Sequence, residues 1–148
     1  MTTPIKTVRV SHEGRDKLIL LKRHTGIGNW NVLCRWALCR SLSEPTPPGL
    51  MASSGTSTVE MSWAVFAGNL GDVFLALLRQ RCHEDGLPTE DATVAEQFRL
   101  HLHRGIFYLA ADRCRGIEEF VSSPLAKHPI PPCGNDGNPV LGNGGTRP

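Results

Sequence analysis

The sequence of 148 residues lacks most of the short patterns that mark catalytic proteins. It contains no CxxC, no HExxH and no GxxxxGK[ST] motif, and its GIG tripeptide at residues 26–28 lacks the third glycine of a dinucleotide fingerprint. These absences argue against a zinc site, a phosphate-binding loop and a nicotinamide-binding fold. We therefore expect no metal, no cofactor and no catalytic residues of its own, so the protein is predicted not to be an enzyme.

Paired cysteines and long apolar runs are also missing. The five cysteines are odd in number and have no close paired spacing, so reduced thiols in a cytoplasm are the simplest explanation. The N-terminus has no apolar stretch like that of a signal peptide. The most apolar segment, residues 61–78, contains Asn69, Asp72 and two glycines, which would be costly at the centre of a bilayer. We expect a cytoplasmic protein that does not bind membranes.

Positive charge is concentrated in the first third of the chain. Residues 1–45 carry eight Lys or Arg against three acids, a net charge of +5, whereas the rest of the chain carries eight against eleven, a net charge of −3. This asymmetry favours one face that binds a polyanion and another that meets solvent or protein. An ordinary solvated helix surface would show a similar charge pattern, so the interpretation needs support from the position of each residue.

Hydrophobic periodicity predicts a mainly α-helical bundle over residues 1–121 and a disordered tail over residues 122–148. The chain should begin with a short extended run and two helices, the layout of a ribbon-helix-helix start. The remaining predictions are a loop at 43–58, an extended segment at 59–66, and helices at 71–85, 92–112 and about 117–121. The helix at 71–85 should turn four apolar residues inward, namely Val73, Phe74, Leu77 and Leu78. The helix at 92–112 should do the same with Val94, Ala95, Phe98, Leu102, Ile106 and Leu109.

The first helix should begin after Ser11 as N-cap and end before Gly26 in a left-handed conformation. One face of this helix is suited to packing and contains Gly14, Leu18, Leu21 and Thr25. At 100° per residue, Arg15, Lys22 and Arg23 fall within an arc of about 100° on another face. Lys17, and Lys6 and Arg9 before the helix, lie nearby in sequence. These residues could contact DNA phosphates without reading bases.

The second helix, capped by Asn29 or Asn31 and ending near Leu42, is apolar around almost its whole circumference. We expect a second subunit to cover it, because a chain of this size offers few layers of its own. The predicted interface consists of Val32, Leu33, Trp36 and Leu38. The alternative is a central helix that is covered only by its own chain.

Two cysteines and two histidines are the candidates for chemistry. Cys34 and Cys39 lie near arginines that could lower a thiol pKa, but both lie on the apolar helix, where a buried cysteine usually serves as a small hydrophobe. His101 and His103 point about 200° apart on a helix, so they cannot hold one metal from the same face. A sulfur carrier that uses Cys34 or Cys39 therefore stays the less favoured hypothesis.

Several long strings of residues resemble one known family. The order of a short extended run, a basic helix, TGI, WNVLCRWALCRSL, FAG, LLRQRC and EQFRLHLHRGI is similar to the DndE family of bacterial DNA sulfur-modification proteins. The resemblance spans about residues 5–121 and is most specific at 29–42 and 95–106.

The resemblance implies a small helical subunit without a catalytic site, in machinery that replaces a non-bridging phosphate oxygen of DNA with sulfur. It also implies homotetramers, a preference for nicked double-stranded DNA, and partners that resemble a sulfur-transfer reductase and an ATPase. The family's DNA-contacting residues map to Lys17, Lys22 and Arg23, followed by Arg15 and Arg9. The main alternative function is a ribbon-helix-helix transcriptional regulator that would read base edges through Thr7 or Arg9.

Overall fold

The computed structural model describes residues 3–50 and 56–112 of the chain. Its elements are β1 (Thr7–Ser11), α1 (His12–Thr25), α2 (Trp30–Leu42), β2 (Thr56–Ser62), α3 (Trp63–Ala67), a 3₁₀ turn (Gly68–Leu70), α4 (Gly71–Glu84) and α5 (Asp91–Ala111). Helices dominate, so the predicted mainly α fold with a short extended N-terminal segment is confirmed. The helix predicted near 117–121 and the disordered tail predicted for 122–148 lie outside the described residues.

Helix α1 begins and ends where the sequence predicted. The hydroxyl of Ser11 accepts a hydrogen bond from the backbone N–H of Gly14 at 3.1 Å and so caps the first turn. At the other end Gly26 has a φ of 73°, and its N–H donates to the carbonyl of Lys22. The buried residues of the helix are the four predicted ones, Gly14, Leu18, Leu21 and Thr25.

Strands β1 and β2 form an antiparallel pair within the chain. Val8 lies opposite Met61 and Arg9 opposite Glu60, and the register shifts between Arg9 and Ser11. Val8 is buried and Arg9 is exposed, as the alternation of a strand requires. The strand pair therefore covers one side of the helical core and carries charged side chains on its outer face.

Helices α2 and α5 form the centre of the molecule. Their backbones approach most closely at Gly105, where an added Cβ would overlap the carbonyl group of Ala37 and lie 3.0 Å from its Cα. Only glycine permits this approach, since any side chain would push the helices apart. The inner face of α5 is the predicted one: Val94, Phe98, Leu102, Ile106 and Leu109 are buried, and Ala95 is partly buried against the core.

The segment predicted to be extended over residues 59–66 is instead a strand followed by a short helix. Strand β2 already starts at Thr56, inside the predicted loop, and α3 begins at Trp63. The hydroxyl of Ser62 accepts from the N–H of Val65 at 3.2 Å and caps this helix. The helical turn brings Trp63 and Phe66 onto Phe98, with ring centroids 5.5 and 5.2 Å from it. Aromatic packing therefore ends the strand earlier than the β-branched pattern suggested.

The inner face of α4 was also predicted incorrectly in part. Phe74 and Leu78 are buried as expected, but Val73 and Leu77 are 53% and 45% exposed, and Leu75 is buried in their place. The helix is rotated about its axis so that Arg81 faces inward. The polar contacts of this arginine explain the rotation.

Arg81 connects α4 to the chain that follows α2. Its guanidinium donates to the carbonyls of Leu42, Pro45 and Thr46 at 2.9–3.1 Å. The same group pairs with the buried carboxylate of Asp85 at 3.0 Å. Five hydrogen bonds in a buried setting make this arginine the anchor of residues 42–46, the first part of the predicted loop.

A second buried polar group joins α5 to the end of α2. The hydroxyl oxygen of Ser41 accepts from Nε of Arg104 and lies 2.8 Å from Nδ1 of His101. This geometry is satisfied when the hydroxyl donates to Nδ1, which places the ring proton on Nε2. That atom has no hydrogen-bond partner among the described residues. Burial, followed by the charges of Arg104 and Arg81, lowers the pKa of His101 to about 4, so the ring is neutral near pH 7.

Candidate nucleic-acid interface

Three basic residues of α1 lie on one side of the helix. Arg15 and Lys22 are two turns apart on the same flank, and both are half-buried along their stems. Arg23 is exposed on the outer surface. The predicted arc of positive charge is therefore accessible to solvent.

The basic residues of α1 form no ion pair within the described part of the chain. Among the described residues, the arginines that form ion pairs are Arg9, Arg40, Arg79, Arg81 and Arg99. None of these lies on α1. The basic residues of this helix thus keep their charge for an anion from outside the chain.

Aromatic rings hold two of the lysines in place. Nζ of Lys22 lies 3.8 Å from the ring centroid of Trp30, at the start of α2. Nζ of Lys17 lies 4.8 Å from the ring centroid of Phe107, on the opposite flank of α1. There Lys17 shares a shallow surface depression with Glu13 and Asp16. The structure therefore separates Lys17 from Arg15 and Lys22, since five positions along a helix correspond to about 140°.

Arg9 lies on the strand pair and forms an ion pair with Glu60 across it, with Nε 3.1 Å from the carboxylate oxygen. Both side chains are more than half exposed. Exposed pairs of this kind contribute roughly 0–1 kcal/mol, so a phosphate could replace Glu60 as the partner of Arg9. The basic surface is thus composed of Arg15, Lys22 and Arg23, with Arg9 as a weaker neighbour.

A groove of about 530 Å³ lies beside Arg15 and Trp30. Residues 28–31 at the start of α2 form one wall, residues 59–61 of β2 form the other, and Val65 closes one end. Asn29 is the N-cap of α2 but makes no capping hydrogen bond with its side chain. We call this feature the α2 groove. The sequence did not predict it, because its walls come from segments about thirty residues apart.

Helix α2 is covered largely by its own chain. Of the four residues predicted for a subunit interface, Leu33 and Leu38 are completely buried within the monomer. Val32 and Trp36 are partly exposed. The alternative explanation, burial by the chain itself, accounts for the two leucines. The interface between subunits stays a prediction. Of its four residues, only Val32 and Trp36 have side-chain surface that a second subunit could contact in this conformation.

The cysteines of α2 differ in accessibility. Cys34 is completely buried, and burial raises its pKa to about 12. Cys39 is exposed by surface area, yet desolvation by the surrounding chain still raises its pKa. The nearby arginines do not lower either value, because Arg35 and Arg40 point elsewhere. Arg35 donates to the carbonyl of Phe66, and Arg40 pairs with Asp112.

The histidines of α5 have structural contacts. His101 is part of the buried polar group described above. Nε2 of His103 accepts from the N–H of Ser11 at 3.0 Å, while its Nδ1 lies 2.8 Å from the carbonyl of Arg99. Burial lowers the pKa of His103. In residues 3–50 and 56–112, no group of three or more His, Cys, Asp or Glu is arranged to hold a metal ion.

None of the helices in the described ranges has the length and apolar character needed to cross a bilayer. The segment at 61–78, which is the most apolar in the sequence, is divided among β2, α3, the 3₁₀ turn and α4.

Comparison with known proteins identifies one group of relatives. A family model described as DNA sulphur modification protein DndE matches residues 7–115. The crystal structure of DndE from Escherichia coli B7A, involved in DNA phosphorothioation modification, is 22% identical and covers 70% of this chain and 96% of its own, with a TM-score of 0.53. A glycine-to-lysine double mutant of DndE involved in DNA phosphorothioation has the same coverage, 16% identity and a TM-score of 0.52. No curated protein is a significant match.

Proposed function

Because this chain belongs to the DndE family of DNA sulphur modification proteins, we propose that it is a non-catalytic DNA-binding subunit of a DNA phosphorothioation complex. In this proposal it binds double-stranded DNA, preferably nicked, through α1. It acts in the cytoplasm as a homotetramer, together with subunits that transfer sulfur and hydrolyse ATP. The likeness to the two solved structures supports the fold on which the proposal rests.

The observation that carries the proposal is the separation of the positive charges into two sets. Arg40 and Arg81 are buried and paired with carboxylates, whereas Arg15, Lys22 and Arg23 lie outside the ion pairs of the described residues. Phosphate contacts through such side chains supply sequence-independent affinity for DNA. In a tetramer each set is repeated, and weak contacts add up when one DNA molecule reaches several subunits.

The non-catalytic part of the proposal is supported by the state of the reactive side chains. Cys34 is buried with a raised pKa, and desolvation also raises the pKa of the exposed Cys39. The histidines of α5 are engaged in hydrogen bonds with Ser41 and Ser11. A nucleophile needs an accessible thiolate or an adjacent base, and neither accompanies Cys34. Sulfur chemistry is therefore assigned to the partner subunits.

The test is a charge reversal on α1. The double variant Lys22→Glu/Arg23→Glu should lose duplex binding in a fluorescence anisotropy titration, while light scattering shows an unchanged oligomer mass. The matched control is Arg79→Glu/Arg99→Glu, which changes the net charge equally on exposed positions of α4 and α5. This control should bind nearly as the wild type does. Equal loss in both variants would show that only net charge matters, and unchanged binding in the first would refute the assigned DNA face.

The salt dependence of binding gives an independent measurement. Each lost phosphate contact should reduce the slope of log affinity against log salt concentration by about 0.9. The variants Arg15→Gln and Lys22→Gln should each lower the slope by about that amount. Lys17→Gln lies on the other flank of α1 and should lower it less.

A competition assay separates this proposal from the regulator hypothesis. A ribbon-helix-helix repressor loses affinity sharply when its operator is scrambled, whereas a protein that contacts the DNA backbone is largely insensitive to sequence. In the regulator hypothesis Thr7 or Arg9 reads base edges, and the weak, exposed pair of Arg9 with Glu60 does not prevent this, so the assay itself has to decide. Strong discrimination among duplex sequences would favour the regulator.

A further inference from the structure

We propose that the α2 groove binds a single unpaired nucleotide of DNA, with its base against Trp30 and its phosphate against Arg15. The inference rests on the proposed DNA binding by α1 and names the form of DNA that this face recognises. It differs from binding to the regular double helix, whose bases are stacked and inaccessible to an indole ring.

The first argument is the chemistry of the groove walls. One wall presents the guanidinium of Arg15, which lies outside the ion pairs of the described residues, and the ring of Trp30. The other wall includes Glu60 and Met61 of β2. Cations next to an aromatic ring are the combination by which proteins hold single-stranded nucleic acid.

The second argument is the arrangement around Trp30. Nζ of Lys22 covers one face of the indole at 3.8 Å from the centroid, and this contact fixes the orientation of the ring. Trp30 is only partly buried, and the remainder of its side chain lines the groove. A base that stacks there lies on the face of the indole that Lys22 does not cover, and Arg15, which lines the same groove, can contact its phosphate. The arginine and the ring therefore act on the two ends of one nucleotide.

The third argument is the polar content at the start of α2. The side chain of Asn29 makes no capping hydrogen bond, so its amide can reach a ligand. Nδ2 of Asn31 donates to the carbonyl of Val65, which holds the rim of the groove in place. The first N–H groups of α2 also carry the partial positive charge of a helix N-terminus, which favours a phosphate. Glu60 also lines the groove, and its carboxylate, which pairs with Arg9 but is more than half exposed, has a further oxygen that can accept a hydrogen bond from an amino group of a base.

Size is consistent with one nucleotide and not with a duplex. The groove has a volume of about 530 Å³, within the range of about 300–1,000 Å³ that small-ligand sites occupy. A double helix contacts proteins over a much broader surface, about 1,000–2,500 Å² in specific complexes. The basic side of α1 suits the duplex, and the adjoining α2 groove suits a base that has left it.

The test compares a labelled duplex that carries one unpaired thymidine with the same duplex fully paired, using the full-length protein. The wild type should bind the first about tenfold more tightly, which is within the range expected for one stacked base. Trp30→Leu should abolish this preference without changing affinity for the paired duplex. Trp30→Phe keeps an aromatic face and should retain most of it. Phe107→Leu, which also removes an aromatic ring in contact with a lysine of α1 but lies outside the groove, is the matched control and should behave as the wild type.

The outcomes are distinguishable from failure of the proposed function. If the wild type binds both duplexes equally, the nucleotide site is refuted while DNA binding by α1 stands. If Trp30→Leu and Phe107→Leu weaken both duplexes alike, the effect is structural and the proposal is again refuted. If the wild type binds neither duplex, the proposed function fails. A titration with a short oligothymidylate then tests the nucleotide site independently. Quenching of the tryptophan fluorescence that is lost in Trp30→Phe supports the site, and no quenching refutes it.

Discussion

The close contact between α2 and α5 makes Gly105→Ala the most informative single substitution for the fold. Within a helix, alanine is favoured over glycine by about 1 kcal/mol, so intrinsic propensity predicts a stabilised variant. The structure predicts the opposite. An added methyl group would overlap the carbonyl group of Ala37 and lie 3.0 Å from its Cα, well inside the optimum of about 3.5–4.0 Å for two carbons.

The magnitude follows from what the methyl group meets. Overpacking of a core costs about 1–3 kcal/mol when flexible side chains can move, and more when they cannot. Here the obstacle is helix backbone, and the neighbouring Leu33, Leu38 and Ile106 are all completely buried. We expect a cost above about 3 kcal/mol, and after the gain in helix propensity a net destabilisation of at least about 2 kcal/mol. That corresponds to a fall in melting temperature on the order of 10 °C.

The assay is urea and thermal unfolding followed by circular dichroism. Gly28→Ala is the matched control, because an added Cβ there has no atom within 4 Å. It should change the free energy of unfolding by no more than about 0.5 kcal/mol. A Gly105→Ala protein as stable as the wild type, or more stable, would refute the close packing of α2 on α5.

Three further outcomes follow from buried groups. Arg81→Met should destabilise the protein by about 3–5 kcal/mol in urea titrations because it leaves the buried carboxylate of Asp85 unpaired, whereas Arg79→Met removes an exposed pair and should cost no more than about 1 kcal/mol. The pKa of His101 is lowered from 6.5 to about 4, so between these pH values the unfolded chain binds a proton that the folded protein does not. The free energy of unfolding should therefore fall by up to about 3 kcal/mol as the pH drops from about 6.5 to 4. The variant His101→Asn should flatten this dependence. Peptide mass spectrometry after iodoacetamide treatment at pH 8 should find Cys34 unmodified in the folded protein and modified in urea; rapid labelling without urea would contradict its burial.

Local sequence signals were sufficient to predict both ends of α1 and its buried face. The hydroxyl of Ser11, the left-handed Gly26 and the four buried positions all depend on residues within the helix or next to it. Side chains three and four positions apart necessarily share a face, so the sequence alone places them correctly. The same reasoning correctly located the core face of α5, since its apolar residues repeat over about four turns.

The rotation of α4 and the end of β2, which were predicted incorrectly, depend on contacts between residues far apart in the sequence. Val73 and Leu77 are as apolar as Leu75, and only the hydrogen bonds of Arg81 to the chain after α2 show which way α4 is rotated. An arginine normally signals an outer face, so no helical wheel would have placed it inside. The end of β2 likewise depends on the packing of Trp63 against Phe98.

Of the candidate site, only the cluster of basic residues on α1 could be predicted from the sequence. The positions of Arg15, Lys22 and Arg23 on one side of α1 follow from helical geometry, as the sequence indicated. The contact of Lys22 with Trp30 does not follow from it, because the direction in which α2 leaves the GIG turn sets the distance between them. The α2 groove needed the additional placement of β2, which no local pattern contains.

The structure explains why a chain with a net charge of only +2 can present a strongly basic surface. Its acids are used selectively: Asp85 and Asp112 neutralise arginines that hold the interior, and Glu60, Asp91 and Glu96 pair with exposed ones. None of these pairs involves the basic residues of α1. Added salt screens exposed charges over about 8–10 Å but affects buried pairs much less. The proposed binding of DNA through α1 should therefore weaken steeply with salt under conditions in which the arginines of the interior still hold the fold together.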